Sequence, residues 1–159
     1  MMDNQGMSSP SDRLPGSVTS SEPGPEDLAV LAGYGQWADK GEAVSGYRVT
    51  IMSARTSYQV GEHIRVVHLC ESTSAENLLY VMGPKAVWSE YLDGELATSR
   101  PPPGEDGLVP GLYDGRALPG PGVDTNYDVT VYRLERPGRH QVQWRPGANR
   151  SNVLWFDVA

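Results

Sequence analysis

The side chains with which this chain could do chemistry are three histidines, a single cysteine and a scatter of carboxylates. His63 and His68 are an odd number of positions apart, so on one strand they point to opposite faces and cannot share an ion. His68 and Cys70 do share a face, and His140 could join them if its strand lay alongside. Two of those three would then sit among Val and Ile without access, so no metal site is read from them. Burial also raises a thiol's pKa and silences it as a nucleophile, which sets Cys70 aside. Neither a Gly-x-Ser-x-Gly elbow nor a phosphate-binding glycine loop occurs. Glu90 and Glu95 fall on the two arms of an expected hairpin, where they could face each other as general acid and base. Asp93-Gly94, Asp106-Gly107 and Asp114-Gly115 each place one Asp before Gly, and turn chemistry accounts for them without calcium. The catalytic candidates that survive are His68, His140 and Glu90. A plain structural role stands against each, and no cofactor is expected.

Aromatic residues are the better lead. Four Trp and eight Tyr accompany a single Phe, a bias towards rings with a polar edge. Such rings suit binding surfaces, because one edge stays wet while the other is covered. Trp88, Tyr113 and Trp155, with Leu112, are the binding candidates. In the last run Leu154, Phe156 and Val158 claim one face, leaving Trp155 on the other. There it is either bare or covered by the N-terminal tail or a long loop, and covering is the favoured reading.

A net charge of −7 without a basic stripe argues against nucleic acid and against an anionic membrane surface. No apolar run approaches membrane-spanning length. One cysteine forms no intrachain disulfide, and the first residues lack the apolar core of a secretory signal, so a cytoplasmic protein is expected. A chain trimmed of its leader would look the same.

These residues must be positioned by strands. Val129 and Val131, then Val142 and Trp144, recur with a period of two that a helix cannot use. Three β-rich runs beginning at Tyr127, Arg139 and Ser151 are divided by Pro137-Gly138 and Pro146-Gly147. Upstream, Tyr47, Val49 and Ile51 alternate with Arg48, Thr50 and Met52. In the run from Gly61, the face of Ile64, Val66, His68 and Cys70 is taken as core. A third strand is read at 77–83, ended by Pro84. Asp93-Gly94 supplies the positive φ values of a two-residue hairpin turn. Half of the residues in 101–124 are Pro or Gly, and all periodicity breaks there. A connection of that length is uncommon unless functional or disordered. The domain plan is a disordered tail at 1–26, a short helical or irregular lead-in at 27–45, and a β domain at 46–159.

Two motifs carry a resemblance. Tyr58-Gln-Val-Gly-Glu-His-Ile-Arg-Val resembles the Tyr-x-x-Gly-Glu-x-Ile/Val-x-Val approach to the second strand of bacterial immunoglobulin-like β-sandwich modules. Tyr132-Arg-Leu-Glu-Arg-Pro-Gly-Arg-His-Gln-Val is similar to their Leu-x-x-Pro-Gly-x-Tyr-x-Val corner before the penultimate strand. The same pair occurs in macroglobulin-type modules and in the bacterial intracellular proteinase inhibitor family. The resemblance implies an all-β, immunoglobulin-like antiparallel β-sandwich of about seven to eight strands. His140 stands where such modules place Tyr. It is expected to be a buried corner residue bonded to nearby backbone rather than a catalytic one.

The function expected is that of a non-catalytic binding or interaction module with a protein partner. The Pro-rich 101–124 segment would serve as contact surface, since it is pre-extended and loses little entropy on docking. Proteinase binding is what the resemblance implies. The alternative is a small cofactor-free enzyme or ligand-binding protein with a cavity lined by Tyr47, His68, Trp88, Tyr132, His140 and Trp144. A deep cavity reached by His68 or His140 would favour that alternative, and a filled core would favour the module.

Overall fold

Alternating faces need two sheets to bury them, and the computed structural model has two five-stranded sheets sharing one core. It describes residues 16–105, 107–109 and 113–159. The first sheet runs β1 (Gly16–Ser21), β10 (Val129–Leu134), β4 (His63–Ser72), β2 (Tyr47–Met52), with β9 (Gly122–Asp124) on the far end of β4. The second runs β3 (Ser57–Tyr58), β12 (Leu154–Val158), β11 (Gly138–Trp144), β6 (Glu90–Leu92), β7 (Glu95–Leu96). A small ribbon pairs β5 (Leu79–Tyr80) with β8 (Ala117–Leu118). All pairings are antiparallel except β12 with β3, which is parallel. The twelve strands among the described residues exceed the seven to eight expected because several are only two residues long and one comes from the expected tail.

The core face of β4 is the expected one. Ile64, Val66, His68 and Cys70 are buried, and they meet Val142, Trp144, Leu154, Phe156 and Val158 of the second sheet. The opposite face of β4 is not free, despite its charged start. Val67 and Leu69, with Met52, Val129 and Val131, lie in a second apolar cluster under Leu31 and Tyr34. The lead-in segment forms α1 (Pro25–Ala32) and a 3₁₀ turn at Tyr34–Gln36, and these cover the outer face of the first sheet. Thr50 and Met52 are buried for the same reason. Leu28 of the same helix stays half exposed.

Four further readings change. Composition places a disordered tail at 1–26, yet Gly16–Ser21 pairs with β10 over six positions and α1 begins at Pro25. Satisfying the open edge of β10 orders a segment that offers little apolar surface. The rest of that expected tail, 1–15, lies outside the described residues. The third strand shrinks to Leu79–Tyr80. The Asp93-Gly94 hairpin is present, with φ of 50° and 84°, but its register pairs Leu92 with Glu95. Glu90 is therefore bonded to Ala97, across from it, and Glu95 points to solvent, so the two carboxylates do not meet. The 101–124 connection holds β8 and β9, so it is not structureless.

Candidate functional site

The small ribbon, β9 and the long connection converge on one end of the first sheet. There Tyr47, Leu79, Tyr80, Leu108, Asp124 and Tyr127 line a cleft of about 90 Å³. Asp124 in its wall is buried and paired with Lys85 Nζ at 2.9 Å. The ammonium also donates to the carbonyls of Asn126 (3.1 Å) and Met82 (3.4 Å) and lies 4.4 Å over the Tyr127 ring. The second carboxylate oxygen of Asp124 accepts the Asn126 N–H at 3.0 Å. Each charge thus meets opposite charge or oriented dipoles, as burial requires. Cys70 shares the cleft wall, and burial, reinforced by the Asp124 charge, pushes its thiol up to about 12. It is no nucleophile at neutral pH.

Leu78 lines the cleft, and further exposed apolar side chains lie on or beside the short strands around it. Leu78, Met82, Leu118 and Val123 are four of the seven large apolar side chains found exposed among the described residues. All four belong to β5, β8, β9 or the residues beside them. Tyr113 braces this region: its hydroxyl accepts the Met82 N–H (3.0 Å) and donates to the Arg116 carbonyl (2.6 Å), while its ring meets Tyr80 edge-on.

A polar cluster sits deeper, between the sheets. His68 Nε2 meets Glu90 Oε2 at 2.5 Å, and both side chains are fully buried. His68 Nδ1 faces the Asp128 carbonyl at 3.1 Å; a carbonyl only accepts, so that nitrogen donates. Glu90 Oε1 receives the hydroxyls of Thr130 (2.5 Å) and Tyr132 (2.6 Å). Burial opposes charge on Glu90, yet the attraction of His68 and the donors around it hold its pKa below the ordinary 4.5. Burial and the Glu90 charge together push Tyr132 well above 10. The Trp144 indole closes the site edge-on to His68, with centroids 5.1 Å apart. This cluster ties β4 and β10 of one sheet to β6 of the other. Its geometry is that of a closed structural pair, since no member reaches solvent.

The buried carboxylates give stability a pH dependence of definite sign. Glu90 and Asp27 both have folded pKa values below their unfolded ones, Glu90 as described and Asp27 because its burial is outweighed by Arg65 and the Gly24 N–H. The stabilisation is therefore complete above about 4.5 and is lost as pH falls through the depressed folded values. Urea unfolding across that range should show stability flat near neutrality and falling on the acid side. Replacing Asp27 by Asn should remove part of the slope.

His140 lies where the corner motif placed it, buried, with Nε2 donating to the Arg136 carbonyl at 2.8 Å. Its second partner, Asp93 Oδ2 at 2.7 Å from Nδ1, has no signal in the sequence. Asp93 Oδ1 also accepts the Gln141 N–H, so one turn aspartate locks the hairpin to β11. His140→Phe should cost about 1–3 kcal/mol in chemical unfolding through these lost bonds.

The other candidates are dispersed. Trp88 is half-buried and its carbonyl accepts the Trp144 indole N–H at 2.9 Å. Trp155 is not a core residue: it is 41% exposed on the second sheet's outer face, with Arg139 stacked 4.3 Å from its ring. Leu112 lies outside the described residues. His68 and His140 belong to different sheets with separate partners, so they and Cys70 form no ligand set. Among the described residues no group of three or more His, Cys, Asp or Glu could hold a metal, and no helix is long and apolar enough to cross a membrane. No family model, curated protein or solved structure matches the chain. Sequence reasoning overlooked Lys85 and Asp124. Lys85 did carry a signal, a cation set between Pro84 and the apolar Ala86-Val87.

Proposed function

We propose that the chain is a non-catalytic binding module of the immunoglobulin-like β-sandwich type whose partner is a protein. The contact surface is made by the exposed apolar side chains Leu78, Met82, Leu118 and Val123, on or beside the short strands around the Asp124 cleft. The observation that carries this reading is the size of the cleft beside the apolar character of the surface around it. About 90 Å³ admits one side chain, whereas sites for whole small molecules commonly enclose about 300–1,000 Å³. A partner residue seated there would have apolar contact beside it, the arrangement of an interface anchor. Tyr113 holds part of this surface in place through Met82 and Arg116. The alternative enzyme cavity finds less support, because His68, Tyr132 and Trp144 are packed solidly in the core. A reduced, buried Cys70 suits a cytoplasmic setting.

The test is photo-crosslinking in the source cells, with a photoreactive residue at position 118 or at position 155. The expected result is one discrete protein captured from position 118 and lost when Met82 and Val123 are changed to Asp. Capture only from position 155 would move the surface to the other sheet. A small molecule retained in native mass spectrometry, with no protein captured, would favour the alternative. Assaying the captured partner for proteinase activity tests the inhibitor version.

A further inference from the structure

An open sheet edge must be closed by something, and the manner of closure differs around this molecule. The outer edge of β2 is sealed by side-chain amides of the same chain. Asn152 accepts the Ile51 N–H (2.9 Å) and donates to the Ile51 carbonyl (3.0 Å), while Asn149 donates to the Tyr47 carbonyl (3.1 Å). The second sheet ends in β3 and β7, each only two residues long, which offer little to pair with. The edge of β10 is different. It is six residues long and is completed by β1, a segment brought from the far end of the sequence.

The hold on β1 is mostly its backbone ladder, from Gly16 opposite Leu134 to Ser21 opposite Val129. Val18 is partly buried against the core, and Ser21 Oγ accepts from Arg65 Nη2 at 3.0 Å. Thr19 and Ser20 are exposed. The helix after β1 is anchored far better. Asp27 caps α1 through the Gly24 N–H and is bound by Arg65 at 2.8 Å. The joint between loose strand and fixed helix is Glu22-Pro23-Gly24, bounded by Pro25. Residues preceding proline are biased to extended backbone, and Gly24 is extended, with φ −95° and ψ −179°. A short, stiff, proline-bounded hinge favours the straight path that carries a terminal strand onto a neighbouring molecule.

We propose that β1 is exchanged between two copies of this chain, each supplying Gly16–Ser21 to the β10 edge of the other. The occupant is specified by the register itself: an identical segment makes the same six pairings, so exchange loses no contact and gains whatever bend the hinge relieves.

The test uses the full chain in two variants, Thr19→Cys and Val131→Cys, since these positions are register partners. Each adds one cysteine to the buried Cys70. One variant is isotope-labelled. Both are unfolded together, refolded under reducing conditions at high protein concentration, then oxidised and mapped by mass spectrometry. Exchange yields a disulfide between positions 19 and 131 joining a labelled to an unlabelled chain, in a particle of dimer mass by light scattering. The double variant in dilute solution is the folding control and should close the same bond within one chain. If that bond forms only within the double variant at every concentration, the proposal is overturned. The unmodified chain gives an independent reading: refolded concentrated, it should contain a dimer fraction, reduced several-fold by Pro23→Ala with Pro25→Ala. A strict monomer at all concentrations overturns the proposal equally.

Discussion

Glu90→Ala is expected to cost about 3–5 kcal/mol of unfolding free energy, read as a lowered urea midpoint. The change removes the carboxylate that receives His68, Thr130 and Tyr132, and leaves three polar groups facing each other in a dry core. The loss reflects stranded partners rather than the net worth of the pair. Replacing the whole cluster therefore tests the cause. A variant with His68→Leu, Glu90→Leu, Thr130→Val and Tyr132→Phe should recover most of what Glu90→Ala loses, because matched apolar packing can substitute for a buried ionic network. If the combined variant is no better than the single one, cavity formation and not orphaned polarity governs the site.

The second large effect is expected at the cleft. Asp124→Ala should cost about 3 kcal/mol or more, since the Lys85 ammonium then keeps only two carbonyls and the Tyr127 ring while remaining buried. Lys85→Met should be costly as well, leaving a buried carboxylate with the Asn126 N–H. The two residues touch, so their effects should not add. A double-mutant cycle should return a coupling of about 0.5–3 kcal/mol, with the double variant more stable than the sum of the singles implies. Simple additivity would show that the pair is not a unit. Both variants should also loosen the ribbon of β5 and β8, seen as faster amide exchange at Tyr80 and Leu118 beyond the increase that the global loss of stability gives the core strands.

Sequence patterning is most legible where one face of a strand is buried. The alternation through Ile64, Val66, His68 and Cys70, and through Leu154, Phe156 and Val158, names the core correctly because a strand's period is fixed. It fails where a strand is covered on both sides. Val67 and Leu69 read as an outer face because His63 and Arg65 share it, and only the fold reveals that α1 lies over its far half. The Asp93-Gly94 turn is legible from backbone chemistry alone, and so is its register: counting outward from a two-residue turn gives Leu92 opposite Glu95 and Tyr91 opposite Leu96, which already keeps Glu90 and Glu95 apart. The deeper clusters could not be read at all. His68, Glu90 and Thr130 come from three distant strands, and no spacing along the chain announces that they converge. Asp124 looks like an ordinary solvated charge for the same reason, and Lys85 is marked only by its apolar neighbours Ala86 and Val87.

Apolar side chains are indifferent to sliding: a Val displaced by two residues still finds other apolar atoms. The His68–Glu90 contact is not. Its carboxylate is satisfied by donors from β4 and β10 in one relative placement of the two sheets, with Oε1 and Oε2 each already committed. Shift one sheet across the other and Glu90 is driven into oil with nothing to receive it, a penalty greater than the reward for correct docking. The cluster therefore works as a gauge of alignment: it adds little to the depth of the native state and much to the height of every near miss.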